Sequence, residues 1–172
     1  MALIKSVHGK LPKFGKNCYL TENATVVGDV IMGDNCSVWF NAVIRGDVNS
    51  IEIGDNTNIQ DGAIIHCTYQ TAKTVIGNNV SIAHNAIVHG CTVHDNVLIG
   101  MGAIIMDDAI INSGSIIAAG AVVLEKTVVE PNSIYAGTPA KKVKDVGSNR
   151  SGVFERTAKN YIMYSKWFKE DT

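Results

Sequence analysis

The sequence has no large excess of charge of one sign. Its 172 residues include 15 Lys and Arg against 16 Asp and Glu, a formal net charge of −1, and the basic residues form no block or stripe. Proteins that neutralise nucleic-acid phosphates need such a basic surface, so we expect no nucleic-acid partner. No apolar run approaches the ~20 residues that span a bilayer, so we expect no membrane partner either.

The sequence also has few prolines and few aromatic residues, and its cysteines form no CxxC motif. Three prolines and 6% aromatic residues accompany 16 glycines, and Ile and Val are abundant. That mixture favours many short strands with tight corners over a helical bundle. The four cysteines form no CxxC pair, which favours free thiols. Residues 1–10 lack the apolar core of a signal peptide, so the predicted location is cytoplasmic.

A six-residue repeat organises most of the chain. Read in sixes from Ile76 and again from Val93, almost every unit opens with Ile or Val and carries a small residue four places later. Upstream units open at Leu20, Val26, Met32, Val38, Ile44, Ile53, Ile59 and Ile65. Two gaps interrupt the frame, one after the Arg45-Gly46-Asp47 stretch and one between residues 65 and 76.

The physical interpretation of this period is one short strand and one corner per unit. The aliphatic opener points inward, Gly, Asn and Asp form the corners, and three units close one triangular coil. Stacked coils rise by about 4.8 Å. We therefore predict an all-β fold, a parallel β-helix of hexapeptide repeats over residues 1–146. Apolar residues at i, i+3, i+4 spacing predict a C-terminal amphipathic α-helix within residues 147–172, packed on the β-helix.

The repeat frame places two histidines side by side. One face of the prism is opened by Val26, Ile44, Ile65, Val88, Ile105 and Val123. The residue after each opener points outward, so His66 and His89 are expected one coil apart, about 4.8 Å between backbones. That spacing lets two imidazoles bind one metal ion at about 2.0–2.1 Å each. Arg45 is expected one coil before His66.

His84 lies at a different edge, two places after the opener Ile82, and Asp61 has the same position one coil earlier. His84 cannot easily reach His66 and His89 in its own chain. It can meet them in a neighbouring chain, because contacts that close into a threefold ring repeat one site three times. The frame alone therefore leaves two interpretations open. One is a metal site shared between the chains of a threefold ring, in which Asp61 of one chain lies near Arg45 of the next. The other is three exposed histidines that bind no metal.

Specific motifs add a resemblance to this interpretation. They are His66 together with NAVIRGD at 41–47, TNIQDG at 57–62, IAHNAIVHGC at 82–91, LIGMGA at 98–103 and YAGTPAK at 135–141. Over about residues 10–145 the chain resembles the γ-class carbonic anhydrase family of the hexapeptide-repeat superfamily. The resemblance implies a left-handed β-helix and a homotrimer with interfacial metal, usually Zn²⁺, with Fe²⁺ or Co²⁺ as alternatives. His66, His84 and His89 match the family's ligands.

The resemblance also implies an activity, the reversible hydration of CO2 to bicarbonate by a metal-bound hydroxide at the trimer interface. Three imidazoles leave a coordination position open for water, whose pKa the metal lowers to about 7. Gln60 and Asn58 match polar residues near the bound water or bicarbonate and are the candidate catalytic residues. Arg45, Asp47 and Asp61 match the family's interface charge cluster and form the predicted interface ion pair.

Two features depart from the family pattern. Active members carry a glutamate directly after the residue that matches Asp47, where this chain has Val48. They also carry an acidic loop after the first ligand histidine, with a glutamate credited as proton shuttle, whereas the loop CTYQTAKT at 67–74 has no carboxylate. Hydroxide regeneration needs a positioned acid–base group.

Three functions therefore stay open. The first is a zinc-dependent lyase acting on CO2 or bicarbonate. The second is a hexapeptide acyltransferase or CoA-thioester hydrolase, for which the small-molecule substrate is an acyl-CoA. The third is a non-catalytic metal-binding trimer, since the fold alone does not decide among these activities.

Overall fold

The hexapeptides form the coils of a left-handed parallel β-helix in the computed structural model, which describes residues 1–147 and 152–170. Successive coils pair in parallel and in register, so that openers stack on openers. Ile82, for example, pairs with Ile59 on one side and with Ile99 on the other. The predicted fold class is confirmed, including the left hand that the period alone does not specify.

Most strands span only two or three residues, because a corner follows each opener within a few positions. The first ten are β1 (Leu3–Lys5), β2 (Lys13–Phe14), β3 (Tyr19–Leu20), β4 (Thr25–Met32), β5 (Ser37–Val38), β6 (Val43–Ile53), β7 (Asn58–Ile59), β8 (Ile64–His66), β9 (Thr74–Ile76) and β10 (Ser81–Ile82). The others are β11 (Ile87–His89), β12 (Thr92–Val93), β13 (Leu98–Ile99), β14 (Ile104–Ile105), β15 (Ile110–Ile111), β16 (Ile116–Ile117), β17 (Val122–Val123), β18 (Val128–Val129), β19 (Ser133–Ala136) and β20 (Lys141–Asp145).

The three faces of the prism form two hydrogen-bonded sheets. One face is an eight-stranded sheet in the order β20-β19-β16-β13-β10-β7-β5-β3, in which β20 is antiparallel to β19. The other two faces form one twelve-stranded sheet because the long strands β4 and β6 continue around a corner. Between these two strands the register shifts after Gly28, which pairs with Gly46, whereas Val30 pairs with Ile51. The extra residues of β6 correspond to the first gap in the repeat.

An asparagine ladder shapes one corner of the coils. Its members are Asn17, Asn35, Asn56, Asn79 and Asn96, with backbone φ between 54° and 59°. Each amide donates to the next side-chain oxygen at 3.1–3.3 Å. Asparagine tolerates the left-handed conformation better than most residues, so the same residue type serves both the turn and the contact between coils.

The C-terminal helix α1 (Val153–Glu170) contacts strands β5 and β10 of the eight-stranded sheet. Phe154 and Ala158 are buried, and the Trp39 ring packs edge-on against Tyr161 and Phe168, with ring centroids 5.4 and 5.6 Å apart. Residues 148–151 and 171–172 lie outside the described residues, so the division at residue 146 stays a prediction. Across the described ranges, no helix has both the length and the apolar character of a membrane span.

Candidate metal centre

His66 and His89 lie side by side on the outside of the twelve-stranded sheet. They end the paired strands β8 and β11 and are register partners, as the repeat frame predicts. The Nδ1 atom of His66 lies 3.1 Å from the Nε2 atom of His89. The two ring planes make an angle of 60°, so these nitrogens approach each other without ring stacking.

The outer nitrogen of His66 faces a carboxylate. Its Nε2 atom lies 3.1 Å from Oδ1 of Asp47, while Arg45 Nη1 donates to Oδ2 of the same aspartate at 2.5 Å. Burial alone would raise the pKa of Asp47, but the hydrogen bonds from Arg45 and His66 outweigh it, and the pKa lies below its ordinary value. Asp47 is therefore an ionised acceptor for the N–H of His66.

The outer nitrogen of His89 faces a second carboxylate, Asp107. The Nδ1 atom of His89 lies 2.5 Å from Oδ1 of Asp107, and the Thr68 hydroxyl donates to Oδ2 at 2.5 Å. Burial opposes ionisation here too, but the hydrogen bonds from Thr68 and His89 dominate and lower the pKa of Asp107. Both imidazoles therefore have a carboxylate acceptor on the side away from their mutual contact.

This arrangement determines which nitrogen atoms are available to a metal. If each outer nitrogen carries the proton and donates it to its carboxylate, His66 Nδ1 and His89 Nε2 both present lone pairs. Two lone pairs 3.1 Å apart repel each other unless a cation or a shared proton lies between them. Two nitrogen ligands of a tetrahedral zinc ion lie about 3.3 Å apart at the usual bond length. The two histidines therefore fit a zinc-like cation.

The protonation state of His66 also suits a ligand. Burial lowers its pKa, the nearby charges of Arg45 and His89 act in the same direction, and the hydrogen bond to Asp47 opposes them without reversing the shift. A neutral imidazole is the form that binds metal. Its position is also secured through the backbone, because the Thr74 hydroxyl donates to the His66 carbonyl at 2.5 Å and accepts from the Gly90 N–H at 3.0 Å.

The neighbouring cysteines are poor candidates for metal ligands. Cys67 and Cys91 are buried free thiols, and burial raises their pKa values to about 11 and about 12. Since a metal binds the thiolate, the protonated side chains leave the histidines as the available ligands.

His84 lies at a separate edge, as the frame predicts, and pairs there with Asp61. The distance between its Nδ1 atom and Oδ2 of Asp61 is 2.9 Å, and both side chains are more than 40% exposed. Within the described part of the chain, no group of three His, Cys, Asp or Glu side chains could hold a metal ion. A single chain therefore contributes two converging histidines and, at another edge, one exposed histidine.

The candidate catalytic residues lie on the eight-stranded sheet, whereas the histidine pair lies on the twelve-stranded sheet. Asn58 and Gln60 flank the inward-pointing Ile59 and are buried, with exposures of 1% and 5%. Gln60 Nε2 donates to Asn58 Oδ1 at 3.0 Å, and Asn58 Nδ2 donates to Ser81 Oγ at 2.9 Å. Gln60 precedes Asp61, so these two amides accompany His84 rather than the His66–His89 pair of the same chain.

Comparisons with known proteins show relatives that match nearly the whole chain. The carbonic anhydrase of Geobacillus kaustophilus is 38% identical over 167 residues, covering 97% of this chain and 91% of the relative. Gamma carbonic anhydrase 2, mitochondrial, of Arabidopsis thaliana is 35% identical over 92% of this chain. The chain belongs to the γ-class carbonic anhydrase family. It spans only 59% of the length of the Arabidopsis relative.

Other matches connect this γ-class chain to the wider hexapeptide superfamily. The family described as bacterial transferase hexapeptide (six repeats) matches residues 90–125. The crystal structure of a hexapeptide transferase family protein from Anaplasma phagocytophilum superposes with a TM-score of 0.92 at 36% identity. That match covers 96% of this chain and 98% of the other, so the shared fold extends over nearly all of the γ-class chain.

Sequence reasoning missed the role of Asp107. The residue lies two places after the opener Ile105, the position that His84 has after Ile82. The frame therefore places a carboxylate one coil beyond His89, and this register was the signal available. Its contact with His89 depends on side-chain direction and on the loop at 67–74, which has no repeat pattern.

Proposed function

We propose that this protein is a trimeric metalloenzyme of the γ-carbonic anhydrase type that interconverts CO2 and bicarbonate. The metal, zinc or alternatively Fe²⁺ or Co²⁺, would be held between subunits by His66 and His89 of one chain and by His84 of the next. Convergence of His66 Nδ1 and His89 Nε2 at 3.1 Å is the observation that carries the proposal. Family membership supports it.

The trimer supplies what one chain lacks. His66 and His89 provide two nitrogen ligands, and a catalytic zinc site needs a third protein ligand and one open position. His84 is exposed at another edge of the prism, so a threefold arrangement can present it to a neighbour. Asp61, Asn58 and Gln60 would accompany it, with Asp61 approaching Arg45 of that neighbour as the interface ion pair.

The polar residues of the site would have two roles, holding the ligand histidines and orienting the substrate. Asp47 and Asp107 hold the outer nitrogens of the two imidazoles, and Gln60 and Asn58 orient water or bicarbonate by hydrogen bonds. When bound, the metal would supply a Lewis acid that makes water a nucleophile near neutral pH. Loop 67–74 has no carboxylate, so we expect proton transfer to external buffer to limit turnover. A cytoplasmic location remains part of the proposal.

Acyl transfer or thioester hydrolysis with an acyl-CoA is the second candidate, favoured by the transferase name of the Anaplasma structure. A cavity of about 450 Å³ beside Asp47, lined also by His8, Lys10 and Tyr69, lies between the N-terminal segment and loop 67–74. Cavities of this size accommodate small molecules. A trimer that binds metal without catalysis is the third.

The test combines metal analysis with kinetics. The protein is purified anaerobically, the metal per chain is measured, and CO2 hydration is followed by stopped flow at low and high buffer concentration. We expect about one metal per chain, as one ligand set per subunit requires, and a hydration rate that rises with buffer. His84→Ala should lose both, whereas His94→Ala, a histidine outside the site, should lose neither.

The other outcomes distinguish the candidates. Bound metal without hydration, together with turnover of an acyl-CoA, would replace carbonic anhydrase by the second candidate. Bound metal with neither activity would indicate the non-catalytic trimer. A protein that binds no metal after reconstitution with zinc would contradict the shared metal site.

A further inference from the structure

We propose that Asp107 is the positioning residue of His89, which fixes the tautomer and direction of that imidazole so that Nε2 faces the metal. The inference rests on the proposed function, because it assigns Asp107 a role toward the metal that His66, His84 and His89 would hold. Its basis is a contact within this chain, the 2.5 Å approach of His89 Nδ1 to Asp107 Oδ1.

Asp107 is held at both oxygens. Oδ1 faces His89, and Oδ2 accepts from the Thr68 hydroxyl at 2.5 Å. Its side chain is only 25% exposed. A carboxylate with both oxygens engaged cannot turn freely, so it imposes a direction on the imidazole that donates to it.

Gly90 makes room for this contact. A Cβ added at Gly90 would lie 2.5 Å from Oδ1 and 2.8 Å from Cγ of Asp107, closer than side chains approach one another. Its backbone φ is +54°, a conformation that also favours glycine. The residue directly after His89 therefore leaves open the space that the carboxylate occupies.

The chemical consequence concerns the two nitrogens of one ring. An ionised carboxylate only accepts hydrogen bonds, so it selects the tautomer with the proton on Nδ1 and the lone pair on Nε2. An asparagine amide at the same place can donate to Nδ1 instead. The proton then moves to Nε2, where it blocks the metal. Partners of this kind typically alter metal affinity by about 10–100-fold.

Two isosteric variants separate this role from a general effect of charge. Asp107→Asn removes the carboxylate that faces His89. Asp108→Asn removes the same charge one residue later, at an exposed corner with φ of 59° that asparagine tolerates. Zinc affinity is measured by competition with a chelator. The His89 tautomer is read by long-range ¹⁵N–¹H NMR on the zinc-free protein at a pH where imidazole is neutral.

We expect Asp107→Asn to raise the zinc dissociation constant by about 10–100-fold and to shift His89 from the Nδ1–H to the Nε2–H tautomer. Asp108→Asn should change neither quantity. Unchanged zinc affinity in Asp107→Asn, or an Nδ1–H tautomer that persists without the carboxylate, would overturn the proposal. If the wild-type protein binds no zinc, the proposed function fails, whereas the tautomer measurement still decides the role of Asp107.

A milder variant covers the case in which Asp107→Asn does not assemble. Thr68→Val removes the hydroxyl that holds Asp107 and keeps the size of the side chain. Zinc affinity should fall in the same direction by a smaller factor, and the Nδ1–H tautomer of His89 should be less populated. Wild-type values of both in Thr68→Val would contradict the positioning role.

Discussion

The proposed metal sites between subunits predict a specific pattern of complementation. His66→Ala removes a ligand from the converging pair, and His84→Ala removes the ligand presented to the neighbour. In either homotrimer every site lacks one histidine. In a mixed trimer, a His84→Ala chain still carries His66 and His89 and can meet the intact His84 of an adjacent His66→Ala chain.

The fraction of metal sites restored in mixed trimers follows from the geometry of the threefold ring. When equal amounts of the two variants assemble at random, about three quarters of the trimers contain both kinds of chain. Each mixed trimer, whether it holds one or two copies of a variant, has a complete site at one of its three interfaces. About a quarter of all sites should therefore be restored.

The assay uses the two variants unfolded together and refolded, with mixed trimers verified by native mass spectrometry. Zinc per chain and the CO2 hydration rate should both return to about a quarter of the wild-type values. The matched control mixes His66→Ala with His89→Ala, whose lesions lie in the same converging pair, so no interface becomes complete. Recovery in the control, or no recovery with His84→Ala when mixed trimers are present, would refute the shared site.

Three further predictions concern the scaffold. Asn79→Ala should lower the free energy of unfolding by about 2–4 kcal/mol in chemical denaturation, because alanine loses two ladder hydrogen bonds and strains a positive φ. Asn79→Gly should lower it less, because glycine adopts that φ freely, and equal losses of stability in the two variants would contradict this account of the corner. Gly90→Ala should lower both stability and zinc affinity, because the added Cβ displaces Asp107. Gly102→Ala, whose added Cβ has nothing within 4 Å, should lower stability alone. An equal loss of zinc affinity in both variants would contradict the role of the space at Gly90. Burial raises the pKa of Tyr161 to about 12, so the folded state keeps a proton that the unfolded chain loses above about pH 10. The stabilisation from this proton should be complete below pH 10 and should decrease as the pH rises toward 12. Tyr161→Phe should make that decrease smaller when unfolding is measured as a function of pH.

The sequence predicted what depends on the period. In-register pairing stacks each opener on the next, so the neighbourhood of His66 and His89 and the separate edge of His84 follow from counting residues. The structure confirms that His66 and His89 are register partners in adjacent coils. The left hand of the β-helix does not follow from the period; the resemblance to a family predicts it.

The parts that sequence reasoning did not reach depend on side-chain contacts outside the repeat. Asp107 meets His89 only because Gly90 lacks a side chain and because Thr68, in an irregular loop, holds the second oxygen. Asp47 was predicted as an interface charge, yet within the chain it also accepts from His66. Hydrogen bonds of this kind require directions and distances that a linear pattern does not contain.

The most direct test of the shared metal centre is a crystal structure of the zinc-loaded protein with anomalous diffraction data collected at the zinc edge. The account predicts one anomalous peak at each interface of a threefold trimer, bound by His66 and His89 of one chain and by His84 of the next, with Asp107 on the outer nitrogen of His89. A zinc ion bound within a single chain, or a zinc-loaded trimer without zinc at these histidines, would contradict it.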